Sequence, residues 1–431
     1  MGSGNSYNKK FFGVMDCNNF FVSCERVFNP SLEGVPVVVL SNNDGCAVSR
    51  SAEAKALGVK MGTPAFKIAK EFNEKGCNVH MCSSNYTLYA DMSRRVMNVL
   101  KSIVNDTEQY SVDESFINFS GMNEKLIAEK AREIVYKARK YTGIPVSVGV
   151  AESKTLAKVA TYFAKRYKGY KGFCFINTPL KREKALKLLP VEDVWGIGWR
   201  SSKKLYSEGI ETAWDFVQKD KSWVQRRMGI VGVRTHSELL GKSVLELEDV
   251  ADKQTITTSR SFGEMVEDVE QLSVAVSNYA ASCAEKLRAQ HSFASLATVF
   301  ITTNFFRKDL PQYSSSALVE FPEATNNTIE IVNSCKKALY KIYKPDFKYK
   351  KAGVILSGII PQGHVQQNIF INNDYDKEQK LNELLDDVNR KFGRGKLHLA
   401  IQGDSACKMR REHLSANYTT NLDDIITIVS G

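Results

Sequence analysis

The sequence predicts an α+β protein of several domains, on three observations. A strand, hairpin, helix, strand, helix pass occupies residues 11–176, a glycine-broken helical stretch occupies 181–240, and a second βαββαβ pass starts near Thr255. At 431 residues there is room for roughly three domains of about 150 residues each.

In chain order, the apolar run 11–15 ends in Asp16 and reads as a buried strand delivering a carboxylate at its C-terminal end. A second strand is predicted at 35–40, followed by a polar loop at 41–46 and a short helix at 51–57 stopped by Gly58. Within 109–119 two β-rich arms flank Asp113 and Glu114, so both acids sit at or beside a hairpin turn. Apolar spacing predicts a helix at 125–141, then a strand at 145–150, a helix at 152–166 and a strand at 172–176. This set amounts to a ferredoxin-like sheet with helices on one face.

Short helical pieces at 181–240, interrupted by Gly196, Gly198, Gly209, Gly229 and Gly232, form a small all-helical domain, and 246–253 is a polar linker. The second pass has strands near 255–262, 295–302, 317–321 and 350–358, with helices near 269–290 and 327–342. Beyond Gln362 come one amphipathic helix, about 376–392, and a basic patch at Lys408, Arg410 and Arg411.

Composition narrows the function classes. Charged residues are 25% and hydrophobic residues 43%, which is ordinary globular usage. The formal charge of +11 favours a polyanionic partner, because Lys and Arg displace counterions condensed on phosphates. Nine cysteines are scattered singly with no CxxC pair, which argues against a disulfide framework or a zinc site. No apolar run is long enough for a bilayer and no signal peptide is visible, so a cytoplasmic location is expected. Met1, Gly2 and Ser6 fit an acylation pattern only formally.

The sharpest constellation is Asp16 with Asp113 and Glu114. Phosphoryl transfer needs charge placed on the transferring phosphate rather than covalent help. Two divalent cations about 4 Å apart supply it, and hard Mg²⁺ takes oxygen ligands. A strand-end Asp and a hairpin Asp-Glu could converge to hold them. Acid pairs are commonly caps or salt-bridge partners instead, but idle charges between two apolar arms are costly.

Four ordered motifs then carry a resemblance. Met15-Asp-Cys-Asn-Asn-Phe-Phe-Val-Ser-Cys-Glu, Val48-Ser-Arg-Ser-Ala-Glu-Ala-Lys-Ala-Leu-Gly-Val-Lys-Met-Gly, Tyr110-Ser-Val-Asp-Glu-Ser-Phe and Val148-Gly-Val-Ala-Glu-Ser-Lys-Thr-Leu-Ala-Lys resemble, in order, the motifs of Y-family translesion DNA polymerases. Ser41-Asn-Asn-Asp-Gly-Cys, Ser83-Ser-Asn-Tyr-Thr-Leu-Tyr-Ala-Asp-Met-Ser and Val194-Trp-Gly-Ile-Gly are similar to the UmuC branch of that family. The resemblance runs from about Phe12 through the tail. It implies a right-hand polymerase with a palm at 10–20 and 83–172, fingers at 21–82, a helix-hairpin-helix thumb at 173–248, a little finger at 253–361 and a tail at 362–431.

The resemblance also implies roles. Asp16, Asp113, Glu114 and the main-chain carbonyl of Cys17 would bind two Mg²⁺ ions, Mn²⁺ being an alternative. Phe21 would be the steric gate against a ribose 2′-OH, while Ser49, Lys55 and Lys165 would grip the triphosphate. Many family members have Tyr where this chain has Ala52, which leaves part of that grip open, although the UmuC branch also uses Ala. Gly196, Gly198 and Lys203 would contact the DNA backbone through the thumb motif, and Ser259 and Arg260 through the little finger. Of the basic run Lys336, Lys337, Lys341, Lys344, Lys348, Lys350 and Lys351, one half would add to that surface and the other half would be solvated. Gln366, Ile369 and Phe370 resemble a sliding-clamp-binding peptide, with Gln367 departing from the usual apolar position.

The expected partners are primer-template DNA, a dNTP and a sliding clamp, with a UmuD′-like subunit and a recombinase filament as further candidates. The expected activity is error-prone translesion synthesis in an SOS-type response. A catalytically inactive DNA-binding scaffold, a nucleotidyl cyclase and a nuclease are the alternatives at this stage.

Overall fold

The computed structural model describes residues 10–74, 76–248, 251–362, 375–393, 395–403 and 409–426. They divide into two compact units: the first holds the described residues of 10–41, 45–248 and 413–426, and the second those of 42–44, 251–362, 375–403 and 409–412.

The first unit opens with β1 (Phe12–Cys17), α1 (Phe20–Phe28), β2 (Val37–Leu40), β3 (Ala47–Arg50), α2 (Ala52–Ala56), α3 (Ala65–Glu74), β4 (His80–Ser83) and α4 (Tyr86–Lys101). It continues with β5 (Thr107–Gln109), β6 (Glu114–Asn118), α5 (Glu124–Thr142), β7 (Val146–Ala151), α6 (Lys154–Arg166) and β8 (Phe173–Ile176). Its principal sheet has the order β5-β6-β1-β7-β8. A small sheet, β3-β2-β4, has its own core of Val38, Leu40, Ala54, Ile68 and Phe72.

The expected single helical face is corrected here. Met15, Ile117, Val148 and Val150 pack with α4 and α5, whereas Phe12, Val14, Phe116 and Ala151 pack with α6 on the opposite side. Both β1 and β7 are buried at every residue. Such unbroken apolar runs are the mark of a strand covered on two faces. Gly149 makes the second cover possible: a Cβ there would lie 2.1 Å from the Thr161 backbone nitrogen of α6.

Helices α7 (Pro179–Leu188), α8 (Trp199–Ser207), α9 (Ala213–Val217) and α10 (Lys221–Leu239) form the all-helical part. Gly229 breaks the regular course of α10 with φ 65° and ψ −162°, a combination open essentially to glycine alone.

The second unit contains β9 (Ile256–Val266), α11 (Val269–Ala289), β10 (Ser292–Thr303), β11 (Ser314–Thr325), α12 (Thr328–Ile342), β12 (Tyr349–Pro361) and α13 (Tyr375–Phe392). The βαββαβ order is as expected, and the all-antiparallel sheet runs β11-β10-β12-β9. Alternate residues of β10, including Ala297, Val299 and Ile301, are buried with α11 and α12, which leaves the other sheet face open.

Candidate active site

The site begins where β1 ends. A tight turn follows it: Asn18 N–H donates to the Pro145 carbonyl at 2.8 Å, and Asn19 adopts the left-handed conformation (φ 48°) before α1 starts at Phe20. Asn tolerates that conformation better than most residues. The turn places Asp16 and Phe21 at the junction of β1 and α1.

Asp16 is a direct antiparallel partner of Glu114 across β1 and β6. The intervening turn of the β5–β6 hairpin contains Asp113, whose carbonyl accepts from Cys17 N–H at 2.9 Å. The hairpin therefore brings the three acids to one end of the sheet. The Asp113 carboxylate, however, accepts from Ser111 Oγ at 2.6 Å. Among the described residues no cluster of three or more His, Cys, Asp or Glu stands ready to hold a metal ion.

Burial pushes the Asp16 carboxyl up to about 7 against the pull of the Lys165 ammonium, and its hydrogen bond with Glu114 adds to the rise. Burial also works to raise Glu114, but the hydrogen bond from Asp16 and the Lys158 charge prevail and hold it below the ordinary range. Two carboxyls in contact must share a proton or a cation. Hard oxygen donors converging at one end of the sheet suit a divalent metal of the Mg²⁺ kind, so these residues fit the metal that the sequence motifs imply.

Lys165, expected on the triphosphate, here lies against Asp16 Oδ1. Lys55 donates to Asn19 Oδ1. Burial, then the nearby charges of Arg50 and Lys165, push the Lys55 ammonium down. Cations crowded together in this way form a receptor for an anion. Arg50, not singled out from the sequence, belongs to this group, and its Nε is buried without a hydrogen-bond partner. Ser49 is buried in β3 opposite Val39. Phe21 is half-buried and lies parallel to the Tyr89 ring at 4.6 Å.

Lys158 is a second residue that sequence reasoning passed over. Its Nζ is 2.8 Å from Glu114 Oε2 and sits over the rings of Tyr110, Phe116 and Trp195 at 4.5, 5.5 and 5.4 Å. Trp195 belongs to the Val194–Gly198 turn, and its indole N–H reaches the Tyr110 hydroxyl at 3.3 Å. The available signal was helical spacing, since Lys154 and Lys158 stand one turn apart on α6.

The residues assigned to DNA occupy separate places. Gly196 takes φ 93°, Gly198 caps α8, and Lys203 Nζ lies 4.4 Å from the Trp199 ring centre. In β9, Ser259 pairs with Gly353, and Phe300 closes over that pair on the open face. Arg260 pairs with Ala352, a core residue, so it leaves the sheet on the helix-covered side, although it is exposed. Within the lysine run, Lys336, Lys337 and Lys341 belong to α12 behind the sheet. Lys350 donates inward to the Phe262 carbonyl at 2.5 Å, and Lys348 pairs with Glu267. Lys351, over the Phe300 ring, is on the open face. Gln366, Ile369, Phe370 and Lys408 lie outside the described residues.

Comparison with known proteins shows the family. A profile of the impB/mucB/samB family matches residues 15–162, its C-terminal domain matches 253–369, and a domain of unknown function matches 379–428. The chain is 43% identical to Protein UmuC of Salmonella typhimurium, covering 97% of this chain and 100% of that protein. It is 36% identical to Protein MucB of Escherichia coli, over 95% and 97% of the two chains. It is 26% identical to DNA polymerase IV 1 of Bacillus subtilis, over 88% and 90%. Among solved structures, a Y-family DNA polymerase chimera matches 81% of this chain and 99% of its own with a TM-score of 0.64 at 22% identity, a likeness of fold. Among the described residues no helix is long and apolar enough to cross a membrane.

Proposed function

Because the chain belongs to the impB/mucB/samB family and is a Y-family translesion DNA polymerase of the UmuC type, we propose that Asp16, Asp113 and Glu114 are the carboxylates of its nucleotidyl-transfer site. The supporting observation is the facing of Asp16 and Glu114 across β1 and β6, with Asp113 in the adjoining turn. The reaction is attack of a primer 3′-OH on the α-phosphate of a paired dNTP, with pyrophosphate leaving.

Divalent ions, two Mg²⁺ or in their place Mn²⁺, supply charge neutralisation at the attacking and leaving oxygens when bound. The protein's own groups do the rest. Asp16 and Glu114, with Asp113 and the Cys17 carbonyl beside them, present oxygen donors at the end of a rigid sheet. Lys165 and Lys55 hold the triphosphate, with Ser49 and Arg50 nearby; positive charge there counters the charge that grows on the leaving group. Lys165 is positioned to exchange its Asp16 contact for a phosphate. Phe21 fills the space a ribose 2′-OH would need.

Gly196, Gly198 and Lys203 in the thumb, and Ser259 in the little finger, contact the DNA backbone without reading sequence. Arg260 contributes from the sheet edge. Palm, fingers, thumb and little finger follow the boundaries given above. Gln366, Ile369 and Phe370 serve as a sliding-clamp peptide, and a UmuD′-like subunit and a recombinase filament assist the enzyme on the nucleoid. Primer extension that requires both template and dNTP tests the reading: template-independent product, or DNA cleavage without dNTP, would refute it.

A further inference from the structure

The described residues from His413 onward belong to the first unit, and they fall within the stretch that matches a domain of unknown function. They are tied to it by specific contacts. His413 N–H donates to Ser83 Oγ at 2.9 Å, and its carbonyl accepts from Ser83 N–H at 2.9 Å. Asn85, buried at the start of α4, caps Leu88 N–H with its oxygen and donates its amide to the Ser415 and Ala416 carbonyls at 3.1 and 3.2 Å. Tyr418 stacks on Phe28 of α1 at 4.7 Å and 11°.

One of these contacts leads toward the nucleotide site. Ser415 Oγ donates to Glu25 Oε1 at 3.1 Å, and the Tyr89 hydroxyl donates to the same oxygen at 2.5 Å. Glu25 is only 4% exposed, so its carboxylate depends on these donors. Tyr89, anchored at its hydroxyl, lies flat against Phe21 at 4.6 Å and 15°. Phe21 and Glu25 are one turn apart on α1. Ser415, Glu25, Tyr89 and Phe21 thus form one continuous path of contacts. A ring that discriminates one hydroxyl group must be held within a fraction of an ångström.

We propose that the segment 413–426 is a positioning element of the nucleotide site: through Glu25 and Tyr89 it fixes the Phe21 ring, so discrimination between deoxyribose and ribose depends on Ser415. This rests on the reading of Phe21 as the sugar gate. Ser415 touches no substrate; it acts through Tyr89.

The test is single-nucleotide insertion by the full chain, under conditions where the wild type extends a primer, with matched dNTP and rNTP. Phe21→Ala is the control for the gate. Ser415→Val should raise the rNTP-to-dNTP ratio of kcat/KM by about threefold to tenfold, the factor one lost hydrogen bond supplies. Ser415→Thr should restore the wild-type ratio, and Tyr418→Ala, which loosens the same segment without touching Glu25, should move it in the same direction as Ser415→Val. An unchanged ratio in both Ser415→Val and Tyr418→Ala, including an equal fall for both sugars, overturns the inference if Phe21→Ala still admits ribonucleotides. If Phe21→Ala leaves the ratio unchanged, the gate reading fails and this inference fails with it.

Discussion

Asp16 and Glu114 face each other across the β1–β6 ladder with their carboxyls hydrogen-bonded, and the Lys165 ammonium stands against the Asp16 carboxylate. Burial pushes the Asp16 carboxyl up to about 7 against the pull of the Lys165 ammonium, and its hydrogen bond with Glu114 adds to the rise.

The first consequence is stabilisation by metal. Ligand that binds only the folded state adds RT ln(1 + [L]/Kd), about 2.7 kcal/mol at a hundredfold excess over Kd. Mg²⁺ should raise the melting temperature of the wild-type protein by several degrees. Glu114→Gln should abolish most of that rise in a thermal-shift titration. An equal rise in both proteins would place the metal elsewhere.

Phe21→Ala opens the space next to the Tyr89 ring. Ribonucleotide insertion should increase at least about tenfold relative to deoxynucleotide insertion, since a buried contact with one group discriminates by that order. Steady-state kcat/KM for matched rNTP and dNTP measures it.

Lys158→Met keeps the apolar stem inside the Tyr110, Phe116 and Trp195 rings and removes the charge bonded to Glu114. A charge-assisted bond of about 1.5–3 kcal/mol converts to roughly a tenfold to hundredfold fall in kcat. KM for dNTP should change much less, because Lys158 positions Glu114. A shift confined to KM in single-turnover experiments would contradict this role.

Burial raises the Glu25 carboxyl above its usual 4.5, despite hydrogen bonds from Tyr89 and Ser415 that pull the other way. A folded-state value above the unfolded one means the folded protein binds this proton more tightly. The stability Glu25 contributes is therefore fully present at low pH and is lost as pH rises through that raised value. Gln keeps the acceptor oxygen and never ionises. Denaturation midpoints of Glu25→Gln, relative to wild type, should improve from pH 4 to pH 8; a flat difference would show that Glu25 titrates normally.

The sequence made part of this legible for simple reasons. An apolar run ending in Asp16 and a β-rich hairpin around Asp113 and Glu114 are local patterns, and strand pairing joins them. The second helical face was missed because buried runs such as 146–151 show no alternation from which faces can be counted. Lys158 looked like one surface lysine among many until Trp195, distant in sequence, closed over it. Residues 336, 337 and 341 fall in the helix expected at 327–342, but only the fold shows that this helix lies behind the sheet. Segment 413–426 has no regular period: its anchoring is made of single hydrogen bonds and one stacked ring, which leave no pattern in a sequence.

The most direct test of the central claim is extension of a primer across an abasic template site with Mg²⁺ and dNTPs, comparing the wild type with Asp113→Ala/Glu114→Ala. The wild type should add nucleotides opposite and beyond the lesion, while the double variant should remain folded, bind the primer-template and add none. Extension by the double variant at the wild-type rate would mean that these carboxylates do not carry the reaction.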